Sequence, residues 1–182
     1  MIHPVHTCRP DRPAGAPAPR RAAEGGRLTI DLHCHLLTPA VEALAAERRG
    51  RPAEAAQPPD PAVAETAAYN RELGRTVYAP KLTEAATRLA DMDAMGVDIQ
   101  AISPSPTQYY YWAERELAEA IVMGVNEHIA EVCASAPDRF VGLGTVALQH
   151  PALAADQAKH AVRKLGLKGV EISTLIDGVD AG

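Results

Sequence analysis

A chain of 182 residues is long enough for one domain with a sizeable core. Apolar residues make up 47% but aromatics only 4%, so the expected core is helix-rich and built from small side chains. A formal net charge of −5 with no long basic run excludes an electrostatic footprint for nucleic acid. No stretch of about 20 apolar residues is present to span a bilayer.

Residues 1–27 are crowded with Pro, Arg, Ala and Gly and lack the apolar run of a signal peptide. They read as a disordered leader, and His3 and His6 within it are not counted as metal ligands. Cys8, Cys34 and Cys133 are odd in number and form no C-x-x-C pair. That excludes a disulfide framework and a structural zinc knuckle, and points to reduced thiols in a cytoplasmic protein.

Order is expected from Leu28, where Leu28-Thr29-Ile30-Asp31-Leu32 reads as a strand. A Pro/Ala/Glu/Arg-rich excursion follows over residues 38–80, with a weak helix from Val41 to Arg49 and a loop from Arg51 to Pro61. Thr83 is placed as an N-cap, Leu82, Ala85, Ala86, Leu89, Met92 and Met95 recur at helical spacing, and Gly96 closes that helix. Val97 to Ser103 reads as a buried strand ended by Ser103-Pro104-Ser105-Pro106. A long helix is expected from Glu114 to Ala136, then a strand from Arg139 to Leu148. Pro151 opens a further helix that stops at Gly166, and Lys168 to Ser173 is one more strand.

Strands that alternate with helices imply parallel pairing and right-handed crossovers. Four strands and three crossover helices fit either a small open α/β sheet or half of a closed barrel. A complete eight-fold barrel takes about 250 residues, so the barrel reading makes residues 28–182 its N-terminal half.

The sharpest chemical signal is Asp31-Leu32-His33-Cys34-His35 at the end of the first strand. Strict alternation would put Asp31, His33 and His35 on one face and Ile30, Leu32 and Cys34 on the other. Two imidazoles two residues apart can converge on one cation, at the strand end where barrel active sites lie. The plainer alternative is that one histidine caps the strand and the other meets solvent. Glu171 closes the fourth strand and could face the interior, but its sequence neighbours supply no partner. Tyr109, Tyr110, Tyr111 and Trp112 follow the second strand, either as lining of a substrate site or as a plug packing a helix onto the sheet. His128, His150 and His160 fall on or beside helices and read as structural or exposed. Gly142 and Gly144 lack the third glycine of a dinucleotide fingerprint.

The run Ile30-Asp31-Leu32-His33-Cys34-His35 resembles the first-strand motif of the amidohydrolase superfamily. Three further stretches, Arg88 to Asp98, Ala136 to Gly144 and Leu165 to Val170, resemble its branch of aromatic-acid and aminocarboxymuconate-semialdehyde decarboxylases. The resemblance implies a partial (β/α)8 TIM barrel, with His33 and His35 as ligands of a divalent metal, usually zinc. It also implies an arginine on the long excursion that binds a substrate carboxylate, for which Arg75 is the nearest match. A later metal-binding histidine, an acid/base histidine and an aspartate ligand have no counterpart before Gly182. The implied activity is metal-dependent, non-oxidative decarboxylation of a small aromatic or muconate-type carboxylic acid, impaired by truncation. Hydrolysis of a lactone or cyclic amide by metal-bound hydroxide is the alternative. An inactive fragment, or a split-barrel subunit that pairs as a homo-oligomer through its open strand edges, is the non-enzymatic reading.

Overall fold

The computed structural model describes residues 28–49, 61–176 and 179–180. The leader and the loop core at 51–60 lie outside the described residues. Four strands, β1 (Ile30–Leu36), β2 (Ile99–Pro104), β3 (Phe140–Gly144) and β4 (Gly169–Val170), form one parallel sheet in the order β1-β2-β3-β4. The helices are α1 (Pro39–Arg49), α2 (Pro61–Leu73), α3 (Ala79–Thr83), α4 (Ala85–Met95), α5 (Arg115–Ser135) and α6 (Pro151–Arg163). Sequential parallel strands with helices between them make up the first four strands of a (β/α)8 barrel.

The helix ends follow local chemistry. Gly96 adopts φ 73° at the end of α4, the left-handed turn expected there. Pro151 starts α6, where its missing N–H costs nothing. Thr83 is not the N-cap: it ends α3 and donates its hydroxyl to the Ala79 carbonyl, while extended Glu84 occupies the cap position of α4. The excursion carries more helix than its composition suggests. From Pro61 the chain runs through α2, a π-helical turn at Gly74–Tyr78 and α3 without a break. The last strands are shorter than expected, because β3 ends at Gly144 and β4 holds two residues. Beyond them the backbone of β5 (Leu175–Ile176) pairs antiparallel with β6 (Val179–Asp180).

The core lies between the sheet and α5, whose buried Ala118, Ile121, Val122, Val125, Ile129 and Val132 form one stripe at helical spacing. They meet Leu36, Ile102, Phe140 and Leu167. Two motif glycines of β3 explain how closely α5 sits. A Cβ at Gly142 would lie 2.9 Å from Ile129, and one at Gly144 would lie 2.6 Å from Asn126 Oδ1. These glycines serve helix–sheet packing. We expect Gly144→Ala to cost about 1–3 kcal/mol through overpacking, read as a lower urea midpoint with unchanged slope.

Arg139, from the same motif, ties the segments together. Its guanidinium donates to Asp93 Oδ1 at 2.8 Å and to the carbonyls of Asp98 and Val97 at 2.9 and 3.1 Å, fixing the passage from α4 into β2. At the opposite strand ends, fully buried Gln108 accepts from Thr38 N at 2.9 Å and donates to Thr38 O at 3.1 Å. The loop after β2 is thereby clamped to the end of β1, where the histidines lie.

Candidate metal centre

His33 and His35 occupy the C-terminal part of β1, but the strand does not alternate strictly. Asp31 pairs with Gln100 and Cys34 with Ile102, so three steps on β1 match two on β2. That extra residue is a β-bulge. Gln100 and Ile102 share the helix-side face of β2, and Asp31 and Cys34 follow their partners onto it. Asp31 therefore lies on the opposite face from the histidines, which corrects the expectation from simple alternation. His33 and His35 alone point inward from this segment.

Their rings meet edge to face, with centroids 4.9 Å apart, and their Nε2 atoms stand 3.0 Å from each other. His35 Nδ1 lies 3.1 Å from the carbonyl oxygen of Pro104. A carbonyl can only accept, so His35 carries its proton on Nδ1 and keeps a lone pair on Nε2. This is the tautomer of a metal-ligating imidazole whose other nitrogen is held by an outer partner. Imidazole nitrogens bind zinc at about 2.0–2.1 Å, so two of them 3.0 Å apart are within reach of one ion. Among the described residues no group of three or more His, Cys, Asp or Glu is placed to hold a metal, so the pair stands as two ligands.

Glu171 lies two residues after inward-facing Gly169, which pairs with Leu143 on the interior face. Its carboxylate accepts the Tyr109 hydroxyl at 2.6 Å and approaches His35 Nδ1 to 3.8 Å. A residue that seemed partnerless in sequence thus joins the edge of the site. The partner comes from the loop after β2, 62 residues away, beyond the reach of any local pattern. Burial and this bond to a carboxylate push the Tyr109 phenol well above the usual tyrosine range.

The aromatic run divides between both expected roles. Tyr109 stacks on Tyr111 at 5.5 Å, and the Tyr111 hydroxyl accepts from Ser173 N at 3.2 Å. With Pro106 and Thr107 they line a concavity of about 370 Å³. Tyr110 borders the same concavity and also packs against the core, at a positive φ of 45° that is uncommon for a bulky residue.

Arg75 is not brought to the histidines. It sits on the π-helical turn with its side chain 74% exposed, and its fork is on Glu72, at 2.9 and 3.3 Å. His128 is half-buried within α5, His150 occupies the N-cap position of α6 with Nε2 3.2 Å from Ala113 O, and His160 lies in the last turn of α6. Cys34 and Cys133 are free thiols. Burial pushes Cys133 up to about 11, so at pH 8 only about one thiol in a thousand is ionised. We expect Cys133 to resist iodoacetamide at pH 8 in the folded chain and to react once urea unfolds it, as mass spectrometry would record.

The sequence model of a family described as "Amidohydrolase" matches residues 30–182. The chain belongs to the amidohydrolase family. Among curated relatives, 2-amino-3-carboxymuconate-6-semialdehyde decarboxylase of Dictyostelium discoideum is 32% identical over 110 residues, which are 60% of this chain and 29% of that protein. Gamma-resorcylate decarboxylase of Rhizobium sp. (strain MTP-10005) is 32% identical over 87 residues, 48% of this chain and 27% of that one. The amidohydrolase fold of 5-carboxyvanillate decarboxylase from Novosphingobium aromaticivorans, complexed with manganese and 4-hydroxy-3-methoxy-5-nitrobenzoic acid, superposes with a TM-score of 0.65 at 26% identity. That match covers 86% of this chain and 44% of the other. 2,6-Dihydroxybenzoate decarboxylase from Rhizobium superposes with a TM-score of 0.57 at 27% identity, covering 80% and 38%. The chain thus spans under half the length of these relatives. No helix among the described residues is long and apolar enough to cross a membrane.

Proposed function

We propose that this chain supplies the first half of the metal centre of a decarboxylase acting on small aromatic or muconate-type carboxylic acids. The observation that carries the reading is the histidine pair, with Nε2 atoms 3.0 Å apart and the lone pair of His35 aimed inward by the Pro104 carbonyl. His33 and His35 would hold a divalent cation, which when bound acts as a Lewis acid toward a substrate oxygen. Zinc is the cation implied by the sequence resemblance, and the manganese of the carboxyvanillate decarboxylase supports a site open to either ion. Tyr109 and Tyr111 would lie along the ring of the acid, above the concavity they line. Arg75 would take the carboxylate by exchanging its Glu72 contact for the substrate, since both are carboxylates and the existing pair is solvent-screened. Free Cys34 and Cys133 support a reducing compartment such as the cytoplasm.

The test is to strip the 182-residue chain with chelator and reload it with Mn2+ or Zn2+. Binding of 4-hydroxy-3-methoxy-5-nitrobenzoic acid is then followed by calorimetry, and CO2 release from 2,6-dihydroxybenzoate by gas analysis. We expect one cation per chain and acid binding that needs it. Acid binding indifferent to the metal, or opening of a lactone with no CO2 from any acid, would overturn the decarboxylase reading.

A further inference from the structure

Beneath the histidines, on the helix side of the sheet, lies a polar chain that a closely packed core would not otherwise carry. Arg88 of α4 is 6% exposed and Gln100 of β2 likewise; Gln100 pairs with apolar Phe140 across the sheet, and Arg88 shares the buried face of α4 with Met92. Two of the three guanidinium nitrogens of Arg88 are engaged: one donates to the main-chain carbonyl of His35 and a second to Gln100 Oε1 at 3.2 Å, while Nε is buried without a partner. Gln100 Nε2 donates to Asp31 Oδ2 at 3.4 Å, and Asp31 Oδ1 accepts from the main-chain N–H of His33 at 3.2 Å. The chain therefore begins on the backbone of one histidine and ends on the backbone of the other. The β-bulge makes this closure feasible, because it turns Asp31 onto the face where Gln100 and Arg88 wait.

We infer that Asp31, Gln100 and Arg88 form a buried positioning frame that sets the separation and direction of the His33–His35 pair. The inference rests on the reading that this pair holds a cation. None of the three residues touches the ion or the substrate. Their action runs through the main chain of β1: Arg88 anchors the peptide of His35, Asp31 anchors that of His33, and Gln100 fixes the distance between the anchors. Buried charged and polar groups persist when each has a partner of fixed geometry, and such networks hold one backbone arrangement against alternatives. A bulged strand needs that restraint, since the extra residue lacks its normal ladder bonds.

The experiment compares the wild-type chain with Arg88→Met, Arg88→Lys and Gln100→Met, each below its own unfolding temperature, using Co2+ as the probe. Outer-partner changes typically weaken metal affinity about 10–100-fold. We expect losses of that order in Arg88→Met and Gln100→Met, with altered visible Co2+ bands, and partial recovery in Arg88→Lys, whose ammonium can hold one acceptor. Ile129→Val, a core change away from the frame, should lower the melting temperature while leaving Co2+ affinity and bands as in wild type. In the metal-free chain, long-range 1H–15N spectra should show His35 as the Nδ1-protonated tautomer, and tautomer averaging in Arg88→Met. A folded Arg88→Met and a folded Gln100→Met that both keep wild-type affinity and tautomer would overturn the frame. A wild-type chain that takes up no Co2+ would overturn the metal reading, and the ring tautomer would then judge the frame by itself.

Discussion

Replacing His35 by alanine is expected to abolish stoichiometric retention of a divalent cation, and His33→Ala to do the same. The two rings bring their Nε2 atoms to 3.0 Å, and among the described residues no third His, Cys, Asp or Glu completes a group placed to hold a metal, the Glu171 carboxylate lying toward Nδ1 of His35 instead. A catalytic zinc is normally held by three protein ligands, so a site reduced from two to one keeps little beyond the affinity of a single surface imidazole. Changes in outer partners alone cost about 10–100-fold, and loss of a ligand should exceed that. Titration with Mn2+ followed by electron paramagnetic resonance measures the free ion directly. Binding that survives in both single variants would place the cation elsewhere on the chain. The His35 variant should also release the Pro104 carbonyl from its 3.1 Å contact, whereas the exposed ring of His33 has less packing to lose. Comparable metal loss with a smaller stability loss in His33→Ala would therefore separate ligation from packing.

The largest stability effect should come from Asn126→Ala. Asn126 is buried within α5, and its amide spans the backbone just past β3: Nδ2 donates to Thr145 O at 3.0 Å, and Oδ1 accepts from Thr145 N at 2.7 Å. The side chain thus stands in for a neighbouring strand at the point where the sheet ladder stops. Truncation leaves both a donor and an acceptor buried, at about 1–3 kcal/mol for each orphaned group. A loss of about 2–6 kcal/mol follows, measured by urea unfolding at fixed pH. Gly144 lies against the same oxygen, so Asn126→Ala opens the space that a Cβ at 144 would need. In a double-mutant cycle the two substitutions should cost less together than the sum of their separate effects, since they share one contact. Strict additivity would mean that Leu167, which also crowds Gly144, and not Asn126, sets the cost there.

The alternation of strand and helix, the left-handed turn at Gly96, the proline start at Pro151 and the inward histidine pair were all legible in the sequence. Each depends on residues within about one turn or one strand of each other: a glycine where φ is positive, a proline where no N–H is needed, two imidazoles with one residue between them. The helix from Pro61 through Thr83 was harder to read, because its alanines and charged residues form no marked apolar stripe. Thr83 looked like a cap by residue type, but its hydroxyl turns back to its own helix, a competing bond that sequence spacing does not exclude.

What tertiary structure decided concerns pairs far apart in the chain. The bulge in β1 exists only in register with β2, and it alone moves Asp31 to the face opposite the histidines. Glu171 gained its role from Tyr109, and Arg88 from the His35 carbonyl 53 residues away. Arg75 shows the converse: its residue type suited a carboxylate clamp, while the folded chain gives its fork to neighbouring Glu72. The sequence by itself determined the family, the layered β/α order and the pairing of the two histidines, because periodicity and short-range spacing are local properties of the chain. Only the fold decided which polar side chains surround those histidines, because hydrogen-bond partners are set by strand register and helix docking, neither of which a local pattern contains.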